Sequence, residues 1–176
     1  MRRTLMWLLF GTTLTGTMAY VGIALATPSS GFTGTTIAVG RFGAVEVTNQ
    51  MVRMLGDGPP QQDLWLSLQR TKGPSDLYVQ NNLWMPGGST GWHTHPGHSL
   101  IIVTAGTVTA YDGDDPSCTP KTYTVGMGFV DAGGDHVHLL RNEDSVDART
   151  VAVQLIPAGA IRRIDAESPP DCSHLF

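Results

Sequence analysis

Clusters of Gly, Pro, Asp and Asn break this chain into short apolar runs from about position 36 onward, and none of the runs is long enough for a helix of useful length. The runs read as strands at Ala44–Thr48, Leu64–Gln69, Leu77–Met85, Leu100–Val103, Thr107–Tyr111, Lys121–Thr124, His136–Leu140 and Thr150–Leu155. Ala105-Gly106 makes a tight turn between two of them, Pro86-Gly87-Gly88 ends another, and Asp112-Gly113-Asp114-Asp115-Pro116 is a turn that Tyr111 leads into. Many short strands joined this way give an all-β fold, either a sandwich or a small barrel. The 176 residues allow one ordinary domain. With a formal net charge of −4 and no Lys/Arg run interleaved with aromatics, the electrostatic footprint of a nucleic-acid binder is absent.

Arg2 and Arg3 precede an uncharged, largely apolar stretch from Leu5 to Ala26 that ends in small residues, Ala24-Leu25-Ala26. This is the layout of a signal peptide over residues 1–26, with cleavage before Thr27 and a periplasmic or secreted destination. The stretch is also about as long as a membrane span, so an uncleaved anchor over residues 5–26 is the alternative. Residues 27–35, rich in Ser, Gly and Thr without a hydrophobic period, read as a flexible linker, 36–160 as the barrel, and 161–176 as a tail. Cys118 and Cys172 both lie in the exported part, where an oxidising compartment lets them form a disulfide that tethers the tail; two free thiols are the other reading.

Five of the six histidines lie between positions 93 and 138. His93 and His95, two apart, project from one face of a strand and can reach a single ion, and His136 and His138 repeat the spacing. Neutral imidazole suits Zn, Fe, Cu, Ni and Mn alike, so the spacing points to a divalent metal without choosing which. The same histidines could instead hydrogen-bond within a polar cavity. Along Leu77–Met85, Leu77, Val79 and Leu83 share one face, and Tyr78, Gln80, Asn82 and Trp84 the other, which suits a cavity wall or a core strand.

The segment Gly87-x5-His93-x-His95-x3-Ser99-x6-Gly106 resembles the first motif of the cupin superfamily, Gly-x5-His-x-His-x3–4-Glu-x6-Gly. Ser99 stands where the family has a metal-binding glutamate. The second motif is approximated by Gly126-x5-Ala132-x-Gly134-x3-His138-x3-Asn142, which picks His138 as the third histidine. The resemblance implies a small antiparallel jelly-roll β-barrel in one domain, with core motifs over 87–142 and a divalent metal in its mouth on His93, His95 and His138. His136 is a possible fourth ligand. Without the glutamate the shell is three neutral histidines, and a net +2 would draw an anionic small molecule. Counting from the Ala105-Gly106 turn, Ser99, Ile101 and Val103 point to the cavity with Gln80 and Trp84, whereas His98, Leu100, Ile102 and Thr104 point away. The implied activity is that of a metal-dependent enzyme, a dioxygenase-like oxidoreductase or an isomerase, with no catalytic acid or base identified. The alternative is a metal-free binding or structural module. Members of the family commonly dimerise through sheet edges, so a homodimer is a further expectation, with Ile156–Phe176 either covering an edge or reaching a partner.

Overall fold

A computed structural model describes residues 26–55 and 61–175, with the side chains of 51–55 and 61–65 left aside. The leader or anchor over residues 1–26 lies outside these residues apart from Ala26, and among the described residues no helix is long and apolar enough to cross a membrane.

The chain forms β1 (Ser30–Phe42), β2 (Glu46–Leu55), β3 (Gln61–Arg70), β4 (Ser75–Ser89), β5 (His93–Thr94), β6 (Ser99–Ala105), β7 (Thr107–Asp112), β8 (Lys121–Thr124), β9 (Gly128–Asp131), β10 (His138–Arg141), β11 (Ala148–Pro157) and β12 (Ile164–Asp165), then a short 3₁₀ helix at Pro170–Leu175. All but β2 and β3 belong to one antiparallel sheet that curls into a nearly closed barrel. One wall runs β1-β4-β11-β6-β9 and the other β12-β5-β10-β7-β8. The 15 residues of β4 join the walls, pairing along their length with β1 and β11 and, at Ser89, with Arg141 of β10. This is a cupin-like jelly-roll barrel in a single domain. The hairpin β2–β3 forms a separate two-stranded sheet.

Alternation along the strands fills the interior. β6 buries Ser99, Ile101 and Val103 and turns Leu100 and Ile102 outward; β11 buries Ala148, Thr150, Ala152, Gln154 and Ile156. Trp84, Val108 and Leu140 complete the apolar centre, with the Phe32 ring 4.8 Å from that of Trp84. Gly106 lets β6 turn into β7 with φ +64°, where a Cβ would sit 2.5 Å from the Asp147 carbonyl oxygen. Asn142, fully buried, donates from Nδ2 to the carbonyls of Trp84 at 3.2 Å and Val146 at 2.7 Å, tying the loop after β10 to the end of β4. Outside the barrel centre, Trp92, Tyr111 and Leu139 pack around Cys118 and Cys172, whose sulfurs are 2.06 Å apart.

Both ends of the barrel extend beyond the bounds read from sequence. Ser30–Thr35, read as linker, is the first part of β1 and pairs with β4 between Ser89 and Asn81. Thr27 is already held: it donates through its backbone N–H to the Ala166 carbonyl at 3.3 Å and accepts from the Trp92 N–H on Oγ1 at 2.6 Å. β1 shows no hydrophobic period because most of its positions are exposed, so strand-favouring threonines and pairing to β4 define it instead. At the other end, Ile164 and Asp165 leave the expected tail to pair with Thr94 and His93. Short strands were misplaced as well. β9 falls in a segment where no strand was read, and the strand read at His136–Leu140 begins only at His138.

Candidate metal centre

His93 and His138 face each other across the β5–β10 pair, and His95 follows two residues after His93. The ring centroids stand 4.3 Å apart for His93–His138, 4.8 Å for His93–His95 and 5.4 Å for His95–His138. One nitrogen from each ring lies within 4.8 Å of the other two. His93 Nδ1 contacts the Gly91 carbonyl at 2.9 Å and His95 Nδ1 that of Arg162 at 2.5 Å. A carbonyl only accepts, so both Nδ1 atoms carry the proton and both Nε2 atoms present a lone pair.

All three imidazoles are neutral at ordinary pH. Burial pushes His93 far below the usual histidine range, with the neighbouring His138 adding to the effect. His95 is lowered by burial, against the Arg162 carbonyl and Asp131. His138 is lowered by burial to about 4, even with Asp131 beside it. Neutral imidazole is the form that ligates metal.

The fourth group is one that sequence did not single out. Asp131 ends β9 directly opposite Ser99 of β6 and is almost fully buried. Its Oδ2 lies 3.3 Å from His95 Nε2 and its Oδ1 3.4 Å from His138 Nδ1. The Ser99 hydroxyl donates to Oδ2 at 3.4 Å. A carboxylate thus arrives beside Ser99 from the adjacent strand, next to His95 and His138 of the three-histidine group. The Gly133 N–H donates to Asp131 Oδ1 at 3.0 Å, and the Gly134 N–H to the His95 carbonyl at 2.7 Å. Gly133 has φ +65°, and a Cβ there would sit 2.3 Å from the Gly97 carbonyl oxygen, so the turn that aims Asp131 admits glycine alone.

These residues fit a divalent cation. The lone pair of His95 Nε2 faces a carboxylate oxygen at 3.3 Å with no hydrogen between them, two acceptors that repel unless a cation sits near both. His138 Nδ1 is buried with no hydrogen-bond partner. Nitrogen and oxygen donors in this mixture suit first-row divalent ions.

The remaining candidates lie around this cluster. His136 stands in the turn before β10, its Nε2 3.3 Å from Asp112 Oδ1. It forms a second possible ligand group with Asp131 and His138, but not with His93 and His95. His98 lines an outer groove with Leu100 and Leu155, away from the other imidazoles. A cavity of about 110 Å³ opens onto His93, His95, His138 and Asp131, and Gln80, Trp84 and Ile101 line it too. Ser99 and Val103 are buried outside that lining, Ser99 against Asp131 and Val103 in the apolar centre. Asn82, Arg162 and Arg163 join the wall, the arginines brought there by the segment between β11 and β12.

No protein-family model matches the chain, and no curated protein does. Solved structures similar to it include an oxalate oxidase (18% identity over 47% of this chain, TM-score 0.40). A polyketide cyclase from Streptomyces resistomycificus is 18% identical over 54% of this chain and 65% of its own, with a TM-score of 0.43. A protein with a double-stranded β-helix domain from Klebsiella pneumoniae is 22% identical over 53% of this chain and 75% of its own, with a TM-score of 0.41. The chain spans about half the length of the oxalate oxidase, 46%. These neighbours are cupin-fold proteins. Strand pairing in this chain, not these partial overlaps, carries the description of its fold.

Proposed function

We propose that this protein binds one divalent metal ion through His93, His95, His138 and Asp131 and presents it to a small molecule in the adjoining cavity. The observation that carries this reading is the convergence of three imidazoles, two buried and one half-buried, with a buried carboxylate against two of them, His95 and His138. A bound ion would act there as a Lewis acid or, for a redox metal, as an electron-transfer centre. The chain's own residues orient the ligands: the Gly91 and Arg162 carbonyls hold two imidazoles by their Nδ1–H groups, and Gly133 holds the carboxylate. Trp84 and Ile101, packed behind the cavity, limit water. Zn, Fe, Mn, Ni and Cu all suit this donor set. The leader-like pattern of Arg2 and Arg3 before the apolar stretch Leu5 to Ala26, together with the Cys118–Cys172 pair, supports export to an oxidising compartment.

Competition with a chelator tests the reading on the parent, His138→Ala and His98→Ala. His138→Ala should lose at least tenfold in metal affinity and His98→Ala almost nothing. Equal, negligible affinity in all three would remove the metal and leave a metal-free binding module.

A further inference from the structure

The hairpin β2–β3 stands apart from the barrel sheet, and β3 pairs with β2 along one edge only. Thr71, just past β3, donates its backbone N–H to the Val45 carbonyl at 2.8 Å. This fixes the alternation of the ladder: Ser67 and Gln69 turn their backbone groups toward β2, whereas Leu66, Leu68 and Arg70 turn theirs away. Among the described residues no strand or side chain meets those outward N–H and C=O groups. A row of unpaired backbone groups is a template for another strand, and a hairpin of two strands gains stability from a third.

That edge opens onto a groove of about 750 Å³ between the hairpin and the barrel wall. Ser67 to Thr71 line it without a gap, and since neighbouring side chains of a strand point to opposite faces, the unbroken run means that the groove meets β3 edge-on. Leu100, Leu155 and Pro157 lie on the opposite side. Leu68 is 68% exposed and Leu100 52%, so both sides leave apolar surface uncovered. The charge of the groove is one-sided: Arg70, Lys72 and His98 line it and no acidic residue does, in a chain whose net charge is −4. Glu46 stands opposite Arg70 in the ladder, yet neither Arg70 nor Lys72 forms an ion pair among the described residues. Clefts lined by one sign of charge draw the opposite sign.

We propose that this groove takes an extended segment of another protein, acidic in its first half and apolar in its second, which adds to β3 as a third strand. In antiparallel pairing, acidic residues at alternate positions stand near Lys72 and opposite Arg70, and β-branched ones follow opposite Leu68 and Leu66. Backbone hydrogen bonds to Leu68 and Arg70 supply the affinity, and the match of charge and apolar side chains sets the register. The groove shares no lining residue with the metal cavity, so this inference stands apart from the metal reading.

The probe is the peptide acetyl-Glu-Thr-Glu-Thr-Val-Thr-Val-amide, titrated against the full chain by NMR alongside its counterpart with Lys in place of Glu. The parent should bind the Glu peptide at least tenfold more tightly. N-methylation of the second Glu and the first Val, whose N–H groups face β3 in this register, should weaken binding about tenfold or more. The same two methyl groups on the first two Thr, whose N–H groups face away, should cost far less. Arg70→Glu combined with Lys72→Glu should invert the preference in favour of the Lys peptide and leave zinc uptake unchanged. The peptide comparisons on the parent need no variant to fold. Equal binding of the Glu and Lys peptides, equal weakening by the two methylation patterns, or a preference that survives the charge reversal overturns the proposal. A parent that takes no peptide overturns it as well: if that parent sediments as a dimer that Leu68→Asp dissociates, the edge belongs to a second copy, and if it takes laurate, the groove belongs to a lipid.

Discussion

Replacing Asp131 by Asn should raise the stability of the metal-free protein and lower its affinity for metal, two effects of opposite sign from one isosteric change. In the metal-free protein Asp131 Oδ2 faces the His95 Nε2 lone pair at 3.3 Å, while Oδ1 keeps the Gly133 N–H at 3.0 Å. An asparagine can leave its oxygen on Gly133 and turn its NH₂ toward His95, which changes a repulsive contact into a neutral hydrogen bond. Such a bond contributes about 1 kcal/mol net, and in a domain of this size that raises Tm by roughly 2–4 °C. Metal binding loses its only anionic ligand. Unit charges about 4 Å apart interact by about 4 kcal/mol at an effective dielectric of 20, and a divalent ion doubles this. Desolvation cancels much of that gain, and removing one partner of a buried charge pair generally costs about 2–5 kcal/mol. Affinity should therefore fall by roughly 30-fold to several thousand-fold. Scanning calorimetry on chelator-treated protein, followed by zinc competition on the same samples, reads both numbers. A metal-free Asp131→Asn protein that melts lower than the parent, or one that binds zinc as tightly, would refute the argument.

Two other expectations follow from the scaffold. The Asp76 carboxyl is held at about 2, below its ordinary 3.8, by the Arg41 guanidinium and the Gly159 N–H. Because the folded value is the lower one, this stabilisation is full above about pH 4 and is lost as pH falls through about 2. Urea midpoints measured across that window should drop more steeply for the parent than for Asp76→Asn, and parallel curves would count against the pairing of β1 with β4 through Arg41. Cys118 and Cys172 close a loop of 54 residues, worth about 4 kcal/mol in the chain-entropy account. Replacing both by Ser should lower Tm by roughly 8–16 °C; a drop of under about 3 °C would mean that β12 and the 3₁₀ helix hold the C-terminal segment unaided.

Turn chemistry and strand alternation made much of the barrel legible. Ala105-Gly106 locates the turn from β6 into β7, and alternation from that turn separates buried Ser99, Ile101 and Val103 from exposed Leu100 and Ile102. His-x-His spacing marks His93 and His95 because both belong to one short segment. Asp131 escaped notice because its place in the site depends on the pairing of β9 with β6, a contact 32 residues apart in sequence that no local pattern reports. The vacancy at Ser99 was the available signal: a motif lacking its carboxylate invites a search for an acid on the neighbouring strand. β1 was missed for a different reason. Exposed along most of its length, it carries no hydrophobic period, and its threonines resemble those of a linker. Arg162 and Arg163 reach the cavity only through the chain's return from β11 to β12, so their role in the wall is a product of topology.

X-ray absorption at the zinc edge, on zinc-loaded protein, tests the central claim most directly. Imidazole rings give a distinctive multiple-scattering pattern, so the count of histidine ligands can be read apart from oxygen ligands. The account predicts three imidazoles, with oxygen supplying the rest of the shell and no sulfur, and a return to fewer imidazoles in His138→Ala. A shell of oxygen alone, or the same spectrum from parent and His138→Ala, would contradict it.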